Sequence, residues 1–147
     1  MANILKLDDF AKIDESVNIQ PVTKERLNSA VQGVTDYDKF KGALLRMISK
    51  IKRDPRYRNE LDKIDLRVQF DTLNSDIYTI PSNENEIKKM WADFEDNLKA
   101  GNGFDGNDGG KEVYLDAYYN DETINSADFI DYSMTVEYTK DKEFSFR

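Results

Sequence analysis

The chain has 147 residues and contains no histidine and no cysteine. Histidine is the commonest general base and metal ligand, so its absence excludes a Ser-His-Asp triad and a zinc-activated water of the usual kind. The absence of cysteine excludes disulfides, thiolate metal sites and cysteine nucleophiles. Carboxylates, lysines, tyrosines and hydroxyls are the catalytic groups that are left. The composition therefore predicts a protein that is not an enzyme and that holds no cofactor.

Long apolar runs are also missing. No stretch approaches the ~18 apolar residues that a membrane-spanning helix needs. The N-terminus shows no secretory signal, because Asp8 and Asp9 follow Leu7 directly. We therefore expect no membrane association and a cytoplasmic protein, since cysteine-free chains suit a reducing compartment. With 39% hydrophobic and 34% charged residues, the length is that of one domain, and residues 1–147 are predicted to form a single domain.

Charge is plentiful, and it is unevenly distributed along the chain. The net charge of −8 divides into −3 for residues 1–38, +5 for residues 39–75 and −10 for residues 76–147. A basic middle and an acidic C-terminal half could pair between copies, pair within one fold, or serve solubility alone. A dense acidic surface could also imitate a nucleic-acid backbone.

Apolar periodicity predicts helices in the N-terminal half. Residues 10–13 fit a short helix or docked arm, and residues 23–34 fit an amphipathic helix. A stronger helix begins near Thr35 or Asp36 and ends at Asp54-Pro55. A further helical turn is predicted over residues 55–65. Another helix is capped by Ser82 or Asn83, with Glu86 three residues after Asn83 in a capping-box arrangement, and it stops at Gly101. The strongest apolar stripe consists of Phe40, Ala43, Leu44, Met47, Ile48 and Ile51.

Alternating residues predict strands in the remaining segments. Residues 66–70 and 77–80 form a hairpin, residues 113–119 form a strand, and residues 132–138 and 144–146 form a second hairpin. Residues 120–131 are expected to be a loop with a short turn around Phe129. The order of helices, a hairpin, one helix and then C-terminal strands predicts an α+β fold with a largely antiparallel sheet.

Two sets of residues are candidates for partner binding. A basic ridge lies beside the apolar stripe of the strong helix, and Arg56 and Arg58 continue its charge beyond the helix end. Such a ridge has three explanations: a solvated helix face, a binding site for an acidic protein surface, or a binding site for the phosphates of a nucleic acid. The overall acidity of the chain disfavours nucleic acid. The ridge consists of Lys39, Arg46, Lys50 and Arg53.

Tyrosines crowd the C-terminal strands, and Tyr114, Tyr118 and Tyr119 occupy both faces of the strand over residues 113–119. Tyrosine has a large apolar body and a polar tip, which suits interfaces, but strand propensity and core filling also explain it. A strand that is apolar on both faces needs a cover on each face.

Weaker patterns point to metal or hydrolytic chemistry. The glycine-rich loop over residues 100–110 holds Asp105, Asn107 and Asp108, whose side-chain oxygens could bind calcium. The loop departs from the calcium-binding EF-hand pattern, however, and is better explained as a flexible surface loop. The spacing of Asp76, Glu86 and Lys88 resembles that of a nuclease metal site. The resemblance is superficial, because that site needs the Glu and the Lys on a strand, whereas Glu86 and Lys88 begin a predicted helix. Paired carboxylates such as Asp116 and Glu137 could serve a glycosidase, yet 29 acidic residues make chance pairs certain.

We expect a non-enzymatic interaction or assembly subunit that contacts protein, including copies of itself. A composition rich in Asn, Asp, Lys and Tyr is common among small bacteriophage proteins. The concrete expectation is therefore a virion component of the neck, tail or capsid. The alternatives are a small acidic inhibitor of a host protein, including a nucleic-acid mimic, and a carboxylate-based hydrolase.

Overall fold

A computed structural model of the chain describes residues 33–106, 109–128 and 130–147. The helices expected over residues 10–13 and 23–34 fall, apart from residues 33–34, outside the described residues, and so does Phe129. Thr35–Arg147 form one compact unit. The single domain over residues 1–147 stays a prediction, because most of its first 34 residues are not described.

The first helix of this unit, α1 (Asp36–Arg53), is the predicted one. The Thr35 hydroxyl accepts a hydrogen bond from the Asp38 amide, and the Asp38 carboxylate accepts one from the Thr35 amide, each at 3.1 Å. This reciprocal box satisfies amides that the first helical turn leaves unpaired. All six residues of the predicted apolar stripe are buried. The helix ends before Pro55, as predicted, because the residue that precedes a proline avoids helical geometry.

The second helix, α2 (Glu84–Lys99), begins after Asn83, whose side chain accepts a hydrogen bond from the Glu86 amide at 3.0 Å. The other half of the predicted capping box differs. The Glu86 carboxylate accepts its 2.8 Å hydrogen bond from the Ser82 amide, one residue earlier than expected. Gly101 follows the helix with a φ of +91°, and its amide bonds to the carbonyl of Leu98. Glycine adopts this left-handed geometry without strain, which explains the predicted stop.

In the described residues, seven strands form one sheet, in which five strands take the order β2-β1-β4-β6-β7 and the short strands β3 and β5 also pair with β4. Every pairing is antiparallel. This confirms the α+β class and the largely antiparallel sheet. The strands are β1 (Ile64–Gln69), β2 (Ser75–Thr79), β3 (Phe104–Asp105), β4 (Lys111–Tyr119), β5 (Glu122–Thr123), β6 (Ser133–Tyr138) and β7 (Phe144–Phe146).

Several boundaries differ from the expectation. β1 begins at Ile64 and β2 at Ser75, two residues before the predicted starts at 66 and 77, and β4 begins at Lys111 instead of residue 113. The helical turn predicted over residues 55–65 is a single 3-10 turn, Leu61–Lys63, and β1 begins directly after it at Ile64. The two-residue strands β3 and β5 lie in segments that were expected to be loops. Two residues are too few to show an alternating pattern, so pairing with β4 rather than local sequence defines both strands.

Both helices pack against the same face of the sheet. The Phe40 ring in α1 lies 5.4 Å from that of Trp91 and 5.1 Å from that of Phe94, both in α2. Phe94 also meets Phe70, which follows β1, at 5.6 Å in an edge-to-face arrangement. The alternate residues of β1, β4 and β6 complete this core. In the part of the chain described, no helix is long and apolar enough to cross a membrane.

Candidate functional site

The face of the sheet that turns away from the helices has no helix over it in the described unit. We call it the open face. Side chains alternate along a strand, and paired residues of neighbouring strands lie on the same face. The open face therefore carries Asp65, Arg67 and Gln69 of β1 and the residues of β2 and β4 that pair with them. It contains a shallow depression of about 340 Å³. The side chains that line the depression from the open face are Arg67, Gln69, Ser75, Ile77, Phe104, Tyr114, Asp116 and Tyr118.

Large apolar side chains on the open face are exposed. Ile77 in β2 is 63% exposed, Tyr114 in β4 is 41% exposed, and Phe104 in β3 is 38% exposed. Phe104 pairs with Glu112 of β4, which brings its ring into a stacked arrangement 6.4 Å from the ring of Tyr114. The short strand β3 therefore extends the aromatic surface of the open face.

A fixed cation lies in the middle of the open face. The guanidinium carbon of Arg67 lies 4.4 Å from the ring centroid of Tyr118. Its Nη2 donates to Asp121 at 2.6 Å and to Asp65 at 3.2 Å, and these hydrogen bonds raise the pKa of Arg67. The Arg67 Nε is buried and has no partner among the described residues. Arg67 is therefore held in one position by neighbours on three sides.

Asp116 lies opposite Arg67 in the pairing of β1 with β4. Burial, with the negative charge of Asp131 as a smaller cause, raises the pKa of Asp116 above its ordinary value. The proposed pairing of Asp116 with Glu137 as two catalytic carboxylates is not favoured. Asp116 lies opposite Ser133 and Glu137 lies opposite Glu112, so the two acids are four residues apart along the ladder. That offset is about 13 Å, too long for the usual pair of glycosidase carboxylates.

The structure instead brings together Glu112 and Glu137, which are directly opposite in β4 and β6. Both are buried, at 7% and 5% exposure. Arg147 bridges them with bonds of 3.1 Å to Glu112 and 3.2 Å to Glu137, and the Tyr114 hydroxyl also donates to Glu112. Sequence reasoning missed this cluster, because only the strand register shows that these residues meet.

The glycine-rich loop has a packing role beside this carboxylate pair. A Cβ on Gly106 would lie 2.4 Å from Oε2 of Glu137, and a Cβ on Gly110 would lie 2.4 Å from the carbonyl oxygen of Tyr138. Glycine therefore allows the loop to lie close to β6 at both ends. Of the suggested calcium ligands, Asp105 instead binds Lys111 at 2.7 Å, whereas residues 107–108 are outside the described part.

The basic ridge lies on the exposed side of α1. Arg46, Lys50 and Arg53 line one open groove with Gly42, Leu45 and Ser49. Lys39 does not line that groove. None of the four ridge side chains forms an ion pair with another described residue.

Arg56 and Tyr119 have structural roles that the sequence did not predict. Arg56 binds the Asp54 carboxylate through Nε at 3.1 Å and Nη2 at 2.7 Å, and it also donates to the carbonyl of Asn125. It therefore does not extend the ridge as a free charge, whereas Arg58 is exposed. Tyr119 lies on the helix side of the sheet, where its hydroxyl donates to Glu60.

Metal and nuclease chemistry receive no support from the geometry. Among residues 33–106, 109–128 and 130–147, no three acidic side chains come together as a metal site. Glu86 and Lys88 lie in α2, as predicted, and not on the strand that the nuclease arrangement needs. No protein-family model, curated protein or solved structure matches this chain.

Proposed function

We propose that this chain is a non-enzymatic interaction subunit that binds protein through the open face of its sheet. The observation that carries the proposal is the exposed apolar surface of Ile77, Phe104 and Tyr114 beside the immobilised Arg67. The stacked rings of Phe104 and Tyr114 form an exposed apolar patch, and such patches mark binding sites on folded proteins. Tyrosine and arginine are also the residues that most often dominate binding energy at interfaces.

The arrangement also reduces the cost of binding. Arg67 is held by Asp65, Asp121 and the ring of Tyr118 before any partner arrives. A partner therefore does not have to immobilise this long side chain, which would otherwise cost conformational entropy. The exposed aromatic rings have few rotatable bonds and present area at a low entropic cost. In its concrete form, the proposal is a structural component of a bacteriophage virion, for which the composition is the support.

Site-specific photo-crosslinking in cells tests the proposed surface. A photoreactive phenylalanine analogue replaces Tyr114 or Tyr118 on the open face, Arg46 on the basic ridge, or Ile130, which is 65% exposed elsewhere. We expect discrete protein adducts from the first two positions and few from Ile130. Adducts that form mainly from Arg46 would move the binding site to the ridge, and equal or absent adducts at all four positions would contradict the proposal.

The identity of the crosslinked protein tests the concrete form of the proposal. Adducts to a copy of this chain or to another virion protein support an assembly subunit. An adduct to a host nucleic-acid-binding protein would favour the inhibitor instead. That complex would also weaken as salt is raised, because an acidic mimic binds by charge.

A further inference from the structure

The sheet ends on one side at β2, whose backbone is not covered in the described unit. Four of its five residues are exposed, and Ile77 at its centre is 63% exposed. Edge strands are usually protected from pairing by lysine, proline, a bulge or an inward-pointing charge. β2, with the sequence Ser-Asp-Ile-Tyr-Thr, contains no lysine, proline or bulge, and its one charged residue, Asp76, lies on the helix side and is exposed. From this we infer that β2 pairs with β2 of a second copy of this chain, which makes one sheet continuous across a dimer.

The backbone groups that β2 offers can be assigned from the ladder. The Phe70 amide donates to the Asn74 carbonyl at 2.8 Å, which makes this the hydrogen-bonded pair at the start of the hairpin. Hydrogen-bonded and non-bonded pairs alternate in antiparallel strands. Asp76 and Tyr78 therefore bond to β1. Ser75, Ile77 and Thr79 are left with amides and carbonyls that point to the free edge.

These three outward residues are spaced for self-pairing about a two-fold axis. With Ile77 opposite its own copy, Ser75 faces Thr79 of the partner and Thr79 faces Ser75 of the partner. Each of these three pairs exchanges two backbone hydrogen bonds. On the open face, the two Ile77 side chains meet at the axis and exclude water from each other.

The other face of β2 suits the same register. Asp76 then lies opposite Tyr78 of the partner, so no carboxylate faces a carboxylate directly. Within one chain, the Tyr78 hydroxyl already donates to Asp93 of α2 at 2.9 Å, and it lies 3.4 Å from Asp76. The contact with Asp93 fastens β2 to α2, so the edge is ordered before it pairs. A register centred on Asp76 instead would place the two carboxylates directly opposite each other, which is destabilising.

The opposite edge of the sheet is a poorer partner. β7 has three residues. Thr135 and Arg147 exchange two backbone hydrogen bonds, so Ser145 also bonds to β6 and the outward backbone groups of β7 belong to Phe144 and Phe146. Pairing of β2 with β7 of the next copy would also leave a free edge at each end and build a fibre. Pairing of β2 with itself closes after two copies. It also brings two open faces side by side, so this inference rests on the proposed interaction role and names a partner for it.

Solution mass tests the inference directly. The full chain is measured by light scattering from about 10 µM to about 500 µM at moderate salt, because a short strand pair gives a weak complex. We expect a species of twice 17.1 kDa to grow with concentration. Ile77→Lys places two like charges opposite each other at the axis, and it should raise the dissociation constant roughly tenfold or more. Ile130→Lys is the matched control, because Ile130 is equally exposed at 65%, and it should leave the mass unchanged.

Residue-resolved amide exchange provides a second measurement that does not depend on a variant. The amides of Ser75, Ile77 and Thr79 should become protected as concentration rises, whereas those of Asp76 and Tyr78 should be protected at every concentration because they bond to β1. This alternation is specific to strand pairing at β2.

Each other outcome overturns the inference. A monomer throughout the range, a dimer that Ile77→Lys leaves intact, or a species that grows beyond two copies would each exclude the two-fold β2 pair. If the chain is monomeric and crosslinks to a foreign protein through the open face, the proposed function is supported and only this inference is contradicted. If the chain is dimeric and gives no open-face crosslinks, this inference is supported and the proposed function is contradicted.

Discussion

The two faces of the sheet differ in how their side chains are held. On the helix side, rings and aliphatic groups are buried against one another, and Phe94 is 0% exposed between Phe40 and Phe70. On the open face, Phe104 and Tyr114 stack while more than a third of each is exposed. The same residue types therefore stabilise the fold on one face and remain accessible for binding on the other.

The largest effect is expected from truncating the core between the helices. Phe94→Ala removes a fully buried ring and leaves a cavity that neighbouring side chains fill only in part. Its cost should be about 3–5 kcal/mol of unfolding free energy. Chemical denaturation followed by circular dichroism measures this. A loss below about 1 kcal/mol would show that the ring is not part of a close-packed core.

A smaller effect is expected at the buried polar contact on the helix side. The Tyr132 hydroxyl donates to Asp54 at 2.8 Å, and both residues are buried. Tyr132→Phe removes this bond and leaves the ring in place, which should cost about 1–2 kcal/mol at pH 7. Denaturation curves of the two proteins give the difference.

The hydrogen bond between Tyr132 and Asp54 also leads to a prediction about how the free energy of unfolding depends on pH. Hydrogen bonds from Arg56, with a smaller contribution from Tyr132, hold the pKa of Asp54 well below its usual range, although burial opposes them. A lowered folded-state pKa adds stability above the unfolded pKa, about 3.9, and that stability is lost as pH falls. Because Arg56 lowers the pKa of Asp54 in both proteins, the difference between wild type and Tyr132→Phe should stay constant as pH falls past about 4 and shrink only as pH approaches the folded-state pKa of Asp54. A difference that grows in acid would contradict this account.

The same substitution on the open face should have a much smaller effect. Phe104→Ala removes a ring that is 38% exposed and stacked on Tyr114. It should cost less than about 1 kcal/mol, and it should reduce open-face crosslinking from Tyr114. The comparison of the two faces would fail if Phe104→Ala destabilised the fold as much as Phe94→Ala does.

The smallest effect is expected on the basic ridge. Arg46→Glu reverses an exposed charge near the middle of α1, and the free energy of unfolding should change by less than about 0.5 kcal/mol. Dimer mass should also be unchanged, because Arg46 is in a helix and not on the β2 edge. Loss of the dimer in this variant would assign self-association to charge instead.

Periodicity in the sequence predicted both helices of the described unit and the strands β1, β4 and β6, because each buries one stripe or one face. The predicted hairpins supplied β2 and β7. Alternation also predicted that Tyr114 and Tyr118 lie on one face of the strand and Tyr119 on the other. It could not find the partners of these side chains. Tyr119 meets Glu60, which is 59 residues away, and the buried cluster of Glu112, Glu137 and Arg147 depends on strand register. Long-range pairing of this kind leaves no local pattern in a single sequence.

The β2 edge also separates what the local sequence pattern predicts from what depends on long-range pairing. Residues 77–80 were predicted as the returning strand of a hairpin, but the position of this strand at the end of the sheet could not be predicted. The edge position follows from β1 pairing with both β2 and β4. The unequal charge along the chain had suggested assembly by charge, whereas the structure provides an uncharged residue, Ile77, at the centre of the exposed edge.

The most direct test of this account is the solution mass of the wild-type chain at low and at high salt. Each copy carries a net charge of −8, so two copies repel each other, and salt screens this repulsion. Pairing through β2 and the open face predicts a dimer that persists or strengthens as salt is raised. A complex that dissociates in salt would assign assembly to charge pairing, and a monomer in both buffers would contradict self-association altogether.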